Sequence, residues 1–203
     1  MLRRLPLLLG LLALTATASA QGGMDHTAHR DANDSSVSAF MDALPPGRAN
    51  DEPRQSPNAA VVQTIGTTEV LVQYGRPSAK GREVFGSLVP YGEVWRTGAN
   101  EAATFTASAD VTVEGQRLPA GTYALFTIPG EDSWTVIFNR TAEQWGAFNY
   151  DEAEDALRVE VEPAAIPMQE QFQILFEGVT GDAAVMHLHW DTVGVPVRIA
   201  TTG

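Results

Sequence analysis

The chain has 203 residues, a formal net charge of −12 and no cysteine. Disulfide bonds are therefore excluded, and burial of a core has to stabilise the fold instead. Nucleic acids and anionic lipid surfaces bind basic footprints, so the negative charge argues against both as partners. No Gly-rich phosphate loop or dinucleotide fingerprint is present, and we expect no cofactor.

The N-terminus has the pattern of a secretory signal peptide. Two arginines precede an apolar stretch at residues 5–16, and residues 18–20 form a small-residue cleavage site. The apolar stretch is shorter than the roughly 20 residues that a spanning helix needs. We therefore predict that residues 1–20 are removed on export to the periplasm or the medium, with no membrane insertion afterwards. Loss of two arginines and no acid changes the net charge from −12 to −14.

Two further segments follow the predicted cleavage site. Residues 21–58 are rich in Gly, Pro, Asp, Asn and Ser, a composition that predicts a disordered acidic leader. From about residue 60 the apolar residues recur with a period of two, which is typical of β-strands. Residues 59–203 are predicted to form a single β-sandwich domain, since about 145 residues are enough for one core.

The alternation is clearest at residues 156–162, where Leu157, Val159 and Val161 are predicted to face the core. Short strands at hairpin spacing, without a long helical pattern between them, predict an all-β fold. We expect an antiparallel β-sandwich (jelly-roll-like) or a partly open barrel of roughly nine to ten short strands, with one or two short helical turns. The predicted strands are residues 61–65, 69–74, 104–108, 122–128, 134–139, 156–162, 172–176, 186–190 and 195–200, and the predicted helical turns are residues 82–88 and 142–148.

The segment at residues 74–101, called the 74–101 loop below, differs from the strands around it. It is long and punctuated by Gly and Pro, and long ordered loops in compact domains are often functional. Its cations outnumber its acids by two between residues 76 and 100, which leaves −16 for the rest of the mature chain. Guanidinium groups suit carboxylate, phosphate or sulfate, and aromatic rings stack on sugars. The pattern predicts a site for a small anionic or sugar-like ligand, with candidate residues Arg76, Lys80, Arg82, Trp95, Arg96 and Asn100.

A structural interpretation of the same residues stays open. The cations would then pair with nearby carboxylates, Trp95 would anchor the core, and Asn100 would cap a turn. Glu101 is a candidate acid/base carboxylate, but an ion pair with Arg96 is the favoured interpretation.

Several stretches between Tyr74 and about Trp190 resemble the bacterial domain-of-unknown-function family 2911. They read YGRPSAKGR, LVPYGEVWRTGANEAATF, LPAGTYALFTIPG, WTVIFNR, WGAFNYDEAEDALRV and HWDTVGVPV. The resemblance implies an exported, β-rich protein and brings no established activity. The most distinctive stretches coincide with the 74–101 loop.

A second group of candidate residues lies near the C-terminus. His187 and His189 are two residues apart on a predicted strand and therefore share a face, on which Asp191 is a possible third metal ligand. A solvated sheet face explains the three residues equally well, and we expect no metal. Nucleophilic catalysis has little support, because the chain has neither cysteine nor a G-x-S-x-G motif.

Three functions are consistent with these patterns. The preferred hypothesis is a non-catalytic binding module for a small anionic or carbohydrate ligand at the 74–101 loop. The second is a hydrolase that uses Glu101 or a metal held by His187 and His189. The third is a structural or interaction domain of the cell envelope.

Overall fold

Alternating apolar and polar residues fold into two antiparallel sheets in the computed structural model, which describes residues 52–202. The predicted signal peptide and residues 21–51 of the predicted leader lie outside the described residues. The strands are β1 Asn58–Ile65, β2 Thr68–Gly75, β3 Ala103–Ala107, β4 Val111–Val113, β5 Gln116–Leu118, β6 Gly121–Ile128, β7 Trp134–Asn139, β8 Asp155–Val161, β9 Ala164–Glu177 and β10 Ala183–Thr201.

The larger sheet has the strand order β1-β2-β3-β6-β7-β8, and the smaller sheet has the order β5-β4-β10-β9. All neighbouring strands are antiparallel. Neither sheet closes on itself, so the predicted all-β sandwich is confirmed and the barrel alternative is not observed. Within residues 52–202 no helix is long and apolar enough to cross a bilayer.

The main core contains the inward-facing side chains of both sheets. Val72 and Phe105 come from the larger sheet, and Leu188 and Trp190 come from β10 of the smaller one. A second, smaller cluster covers the opposite face of the larger sheet, where Ile137 packs with neighbours from β6. Each face of strand β7 is covered by one of these clusters, and this explains why the strand is apolar on both faces.

Three details differ from the sequence-based prediction. Strands β4 and β5 were not predicted, because three residues are too few to show alternation; left-handed Glu114 and Gly115 make the turn between them. Residues 186–190 and 195–200 are parts of one long strand, β10, with irregular pairing on either side of Asp191. Residues 82–88 and 142–148 are not helical and contain turns and irregular backbone, and the helical turn of the described chain lies at Glu152–Glu154 instead.

The connection between β2 and β3 is attached to both sheets. Its first part extends the edge of β9, with Ala79 N donating to Glu170 O (2.8 Å) and Phe172 N donating to Pro77 O (2.9 Å). Its second part pairs with β6, where Trp95 and Thr127 exchange backbone hydrogen bonds of 2.7 and 2.9 Å. The loop is thereby hydrogen-bonded to β9 of the smaller sheet and to β6 of the larger one.

Candidate functional site

A cavity of about 310 Å³ opens where the 74–101 loop meets β10. Its apolar lining includes Trp95, Trp190 and Val89. The polar side chains that line it are Gln55, Ser56, Ser78, Lys80, Arg82, Arg96 and Asn100, and no carboxylate is among the lining residues, all of which belong to the described range. We call this space the cationic cavity.

Arg96 is the half-buried cation of the cationic cavity. Its Nε is buried and has no hydrogen-bond partner among residues 52–202, and burial lowers the pKa of the guanidinium. None of the ion pairs formed within residues 52–202 includes Arg96. A partly desolvated guanidinium without a counter-charge is unfavourable by itself, and an anion in the cavity would relieve that cost.

Lys80 and Arg82 contribute two exposed cations to the lining. Arg82 is held by its own loop, since its Nε donates to Ala79 O (2.9 Å) and its Nη2 donates to Ser78 O (2.7 Å). These partners are neutral carbonyls, so they fix the guanidinium without neutralising its charge. Neither cation takes part in an ion pair in the described part of the chain.

Trp95 lies in an aromatic cluster and is only 7% exposed. It stacks on Trp190 with ring centroids 5.7 Å apart and meets Phe172 edge-on at 5.2 Å. Its Nε1 donates to Gly98 O (3.1 Å). Trp95 is therefore a core anchor that touches the cavity, and it offers little free surface on which a sugar ring could stack.

Two of the predicted site residues do not line the cavity. Arg76 donates its Nε to Phe172 O (2.9 Å) and so ties the loop to β9. Glu101 accepts two hydrogen bonds, of 2.9 and 2.7 Å, from Nη1 of Arg54. The predicted Glu101–Arg96 ion pair is wrong, because Arg54 binds this carboxylate instead.

Arg54 belongs to a segment, residues 54–57, that we call the strap. Asn100 Nδ2 donates to Ser56 O (3.3 Å), and Arg76 N donates to Pro57 O (2.9 Å). Gln55 and Ser56 of the strap line the cationic cavity. The sequence placed these residues in the leader, since Pro- and polar-rich composition does not reveal partners that lie 44 to 47 residues away in the chain.

The histidine pair on β10 was the other candidate site. The rings of His187 and His189 are 5.3 Å apart, and His187 Nε2 is 3.6 Å from Glu177 Oε2. Burial, followed by the neighbouring His187, lowers the pKa of His189. A register shift separates His189 from Asp191, which has a positive φ of 55°. No group of three or more His, Cys, Asp or Glu side chains within residues 52–202 is placed to hold a metal ion.

The fold and the site together define an all-β sandwich with a cationic cavity beside the core residues Trp95 and Trp190. The chain belongs to the family described as protein of unknown function DUF2911, whose model matches residues 56–199. This match confirms the resemblance found in the sequence and includes every residue that lines the cationic cavity except Gln55. No curated protein and no solved structure matches the chain significantly.

Proposed function

We propose that this protein is an exported, non-catalytic binding module that holds a small anionic ligand in the cationic cavity. The observation that carries the proposal is Arg96, whose guanidinium is half-buried, lines a cavity and lacks a carboxylate partner among residues 52–202. Arginine presents a planar fork of donors that matches carboxylate and phosphate oxygens. A bound anion would supply the counter-charge that no ion pair within residues 52–202 gives to Arg96.

The anionic form of the ligand hypothesis has more support than the sugar-like form. An aromatic ring can stack on a sugar only through an exposed face, but Trp95 and Trp190 are 7% and 2% exposed. Tyr91 is exposed, but it lines a different cavity, of about 270 Å³, beside Trp134 and Glu131. The site thus has cations available for contact and no comparable stacking platform.

The hydrolase and envelope-domain hypotheses stay predictions without a supporting contact. Glu101 forms an ion pair with Arg54, and this contact favours a structural role for the carboxylate. The pair of histidines is not joined by a third ligand within the described residues.

Binding of simple anions to the mature chain tests the proposal. Calorimetric titration with phosphate, acetate, succinate and citrate at pH 7 and constant ionic strength should detect saturable binding of at least one anion. Arg96→Gln should abolish that binding. Arg117→Gln is the matched control, because Arg117 is 69% exposed and pairs with Asp110 away from the cavity. Absence of binding to every anion, or equal binding by Arg96→Gln, would contradict the proposal.

A further inference from the structure

We infer that the ligand carries two separate anionic groups, one bound by Arg96 inside the cavity and one bound by Lys80 and Arg82 at its mouth. The inference rests on the proposed function and names the chemical class of the ligand: a compact organic acid with carboxylate or phosphate groups at both ends. The positions of the three cations, the polarity of the lining between them and the size of the cavity support it.

The three cations lie at two different depths. Arg96 is half-buried with its Nε closed off from solvent, whereas Lys80 and Arg82 are both exposed. A ligand with a single carboxylate at Arg96 would leave the Lys80 ammonium and the Arg82 guanidinium outside any ion pair formed within residues 52–202, although the Glu170 carboxylate accepts from the Lys80 backbone N–H. A second anionic group would complete the neutralisation, since no lining residue in the described range supplies a carboxylate.

The Arg82 guanidinium and the backbone of Lys80 are held in place before a ligand binds. The two hydrogen bonds from Arg82 to the carbonyls of Ser78 and Ala79 restrict its side chain. Lys80 has a left-handed backbone, with φ of 53°, and its N–H donates to Glu170 Oε1 (2.9 Å). A fixed backbone and a tethered guanidinium reduce the entropy that the loop loses when an anion binds.

The space between the two depths suits a short, polar carbon skeleton. Ser78, Gln55 and Asn100 supply hydroxyl and amide groups to the lining, and Val89 and Trp190 supply apolar surface. The volume of about 310 Å³ is at the lower end of the roughly 300–1,000 Å³ that is typical of small-molecule sites. A hydroxylated di- or tricarboxylate, or a phosphorylated short acid, has this size and character.

Paired probes that differ by one charge test the inference. We would titrate the mature chain with succinate and with succinamate, its monoamide, and add citrate as a third probe. Succinate should bind at least about tenfold more tightly than succinamate, because one charge-assisted contact at the mouth is lost. Citrate should bind at least as tightly as succinate.

Substitutions of the cations show where each anionic group of the ligand binds. Lys80→Gln should weaken succinate binding by about three- to tenfold and leave succinamate binding unchanged, since Lys80 would contact only the second group. Arg96→Gln should weaken both, and Arg117→Gln neither.

The outcomes separate this inference from the proposed function. If succinamate binds as tightly as succinate, or if Lys80→Gln weakens both equally, the two-group inference is wrong while anion binding stands. If none of the probes binds, or if Arg96→Gln binds them as the parent chain does, the proposed function fails and the inference fails with it.

Discussion

Arg96 and Arg158 are both half-buried, but the protein surrounds them in opposite ways. Arg158 Nε donates to Asp155 Oδ2 (2.6 Å), its Nη2 donates to the Tyr150 hydroxyl (2.6 Å), and its Nη1 is 3.3 Å from Glu152 Oε1. Arg96 has no such carboxylate in the range that the structure describes. Arg158 is at the centre of a cluster in which its guanidinium is paired with carboxylates and a hydroxyl. Arg96 lines the cationic cavity.

The acid–base behaviour of the two sites follows from these contacts. Burial by itself would lower the pKa of Arg158, but its contacts with Tyr150 and Asp155 outweigh burial and raise that pKa. Burial, together with the hydrogen bond to Asp155, raises the pKa of Tyr150 to about 12. At Arg96 burial acts without opposition and lowers the pKa.

Arg158 shows how this fold surrounds a half-buried arginine that stabilises it. The chain has 25 acidic residues, and it places two of them beside Arg158 but none in the lining of the cationic cavity. Positions where local rules of charge satisfaction are broken are often functional. Substitutions around Arg158 and around Arg96 test whether Arg96 is such a position.

Asp155→Ala should remove the shared hydrogen-bond acceptor of the cluster around Arg158. The Asp155 side chain is 8% exposed and accepts hydrogen bonds from Asn139, Tyr150 and Arg158. Truncation leaves three donors without their acceptor, so the free energy of unfolding should fall by about 3 kcal/mol, as measured by urea denaturation. Glu152→Ala is the matched control, since Glu152 is 73% exposed, and it should change little. If the free energy of unfolding of Asp155→Ala falls by less than about 1 kcal/mol, the contacts of Arg158 do not stabilise the fold and the contrast with Arg96 is lost.

Gly75→Ala should disturb the backbone near Arg96 and the cationic cavity without changing any charge. A Cβ at Gly75 would lie 2.2 Å from the backbone oxygen of Ala99, in the segment that follows Arg96. Backbone cannot move aside as a flexible side chain can, so we expect a loss of about 2 kcal/mol together with weaker anion binding. Gly181→Ala provides the control, because a Cβ there meets nothing within 4 Å. Equal stability of the two variants would show that the close approach of Gly75 and Ala99 is not needed.

Glu101→Gln should loosen the strap. It removes the charge that Arg54 binds and leaves the hydrogen bond from Asn100 to Ser56 in place. Because Gln55 and Ser56 line the cavity, anion affinity should fall by no more than about fivefold. Complete loss of binding would instead mean that the ion pair between Arg54 and Glu101 is needed to keep Gln55 and Ser56 in place at the cavity.

The fold was largely predictable because its strands repeat a simple pattern. Val159 and Val161 are buried and Glu160 between them is exposed, as the alternation indicated. The hairpin of β4 and β5 was missed because each strand has three residues, although its turn at Glu114-Gly115 is visible in the sequence. Local patterning thus predicted the long strands and failed where a strand is shorter than the pattern that identifies it.

The candidate site was predictable only in part. Charge contrast pointed to the 74–101 loop, and five of the seven candidate residues do line one cavity. Charge counting could not show that Arg76 binds a β9 carbonyl or that Arg54 pairs with Glu101. These contacts join residues 47 to 96 positions apart, and only the assembled sandwich brings them together.

Arg96→Met gives the smallest expected change in stability and the sharpest test of the comparison. Methionine keeps a long side chain against the aromatic cluster and removes the desolvated charge, so the free energy of unfolding in anion-free buffer should stay constant or rise by up to about 1 kcal/mol. Anion binding should be lost in the same variant. Arg158→Met is the matched substitution, and it should destabilise the protein because Asp155 would lose its cation. If Arg96→Met instead lowers the free energy of unfolding as much as Arg158→Met does, Arg96 stabilises the fold as Arg158 does. Its charge would then be explained without a ligand in the cationic cavity.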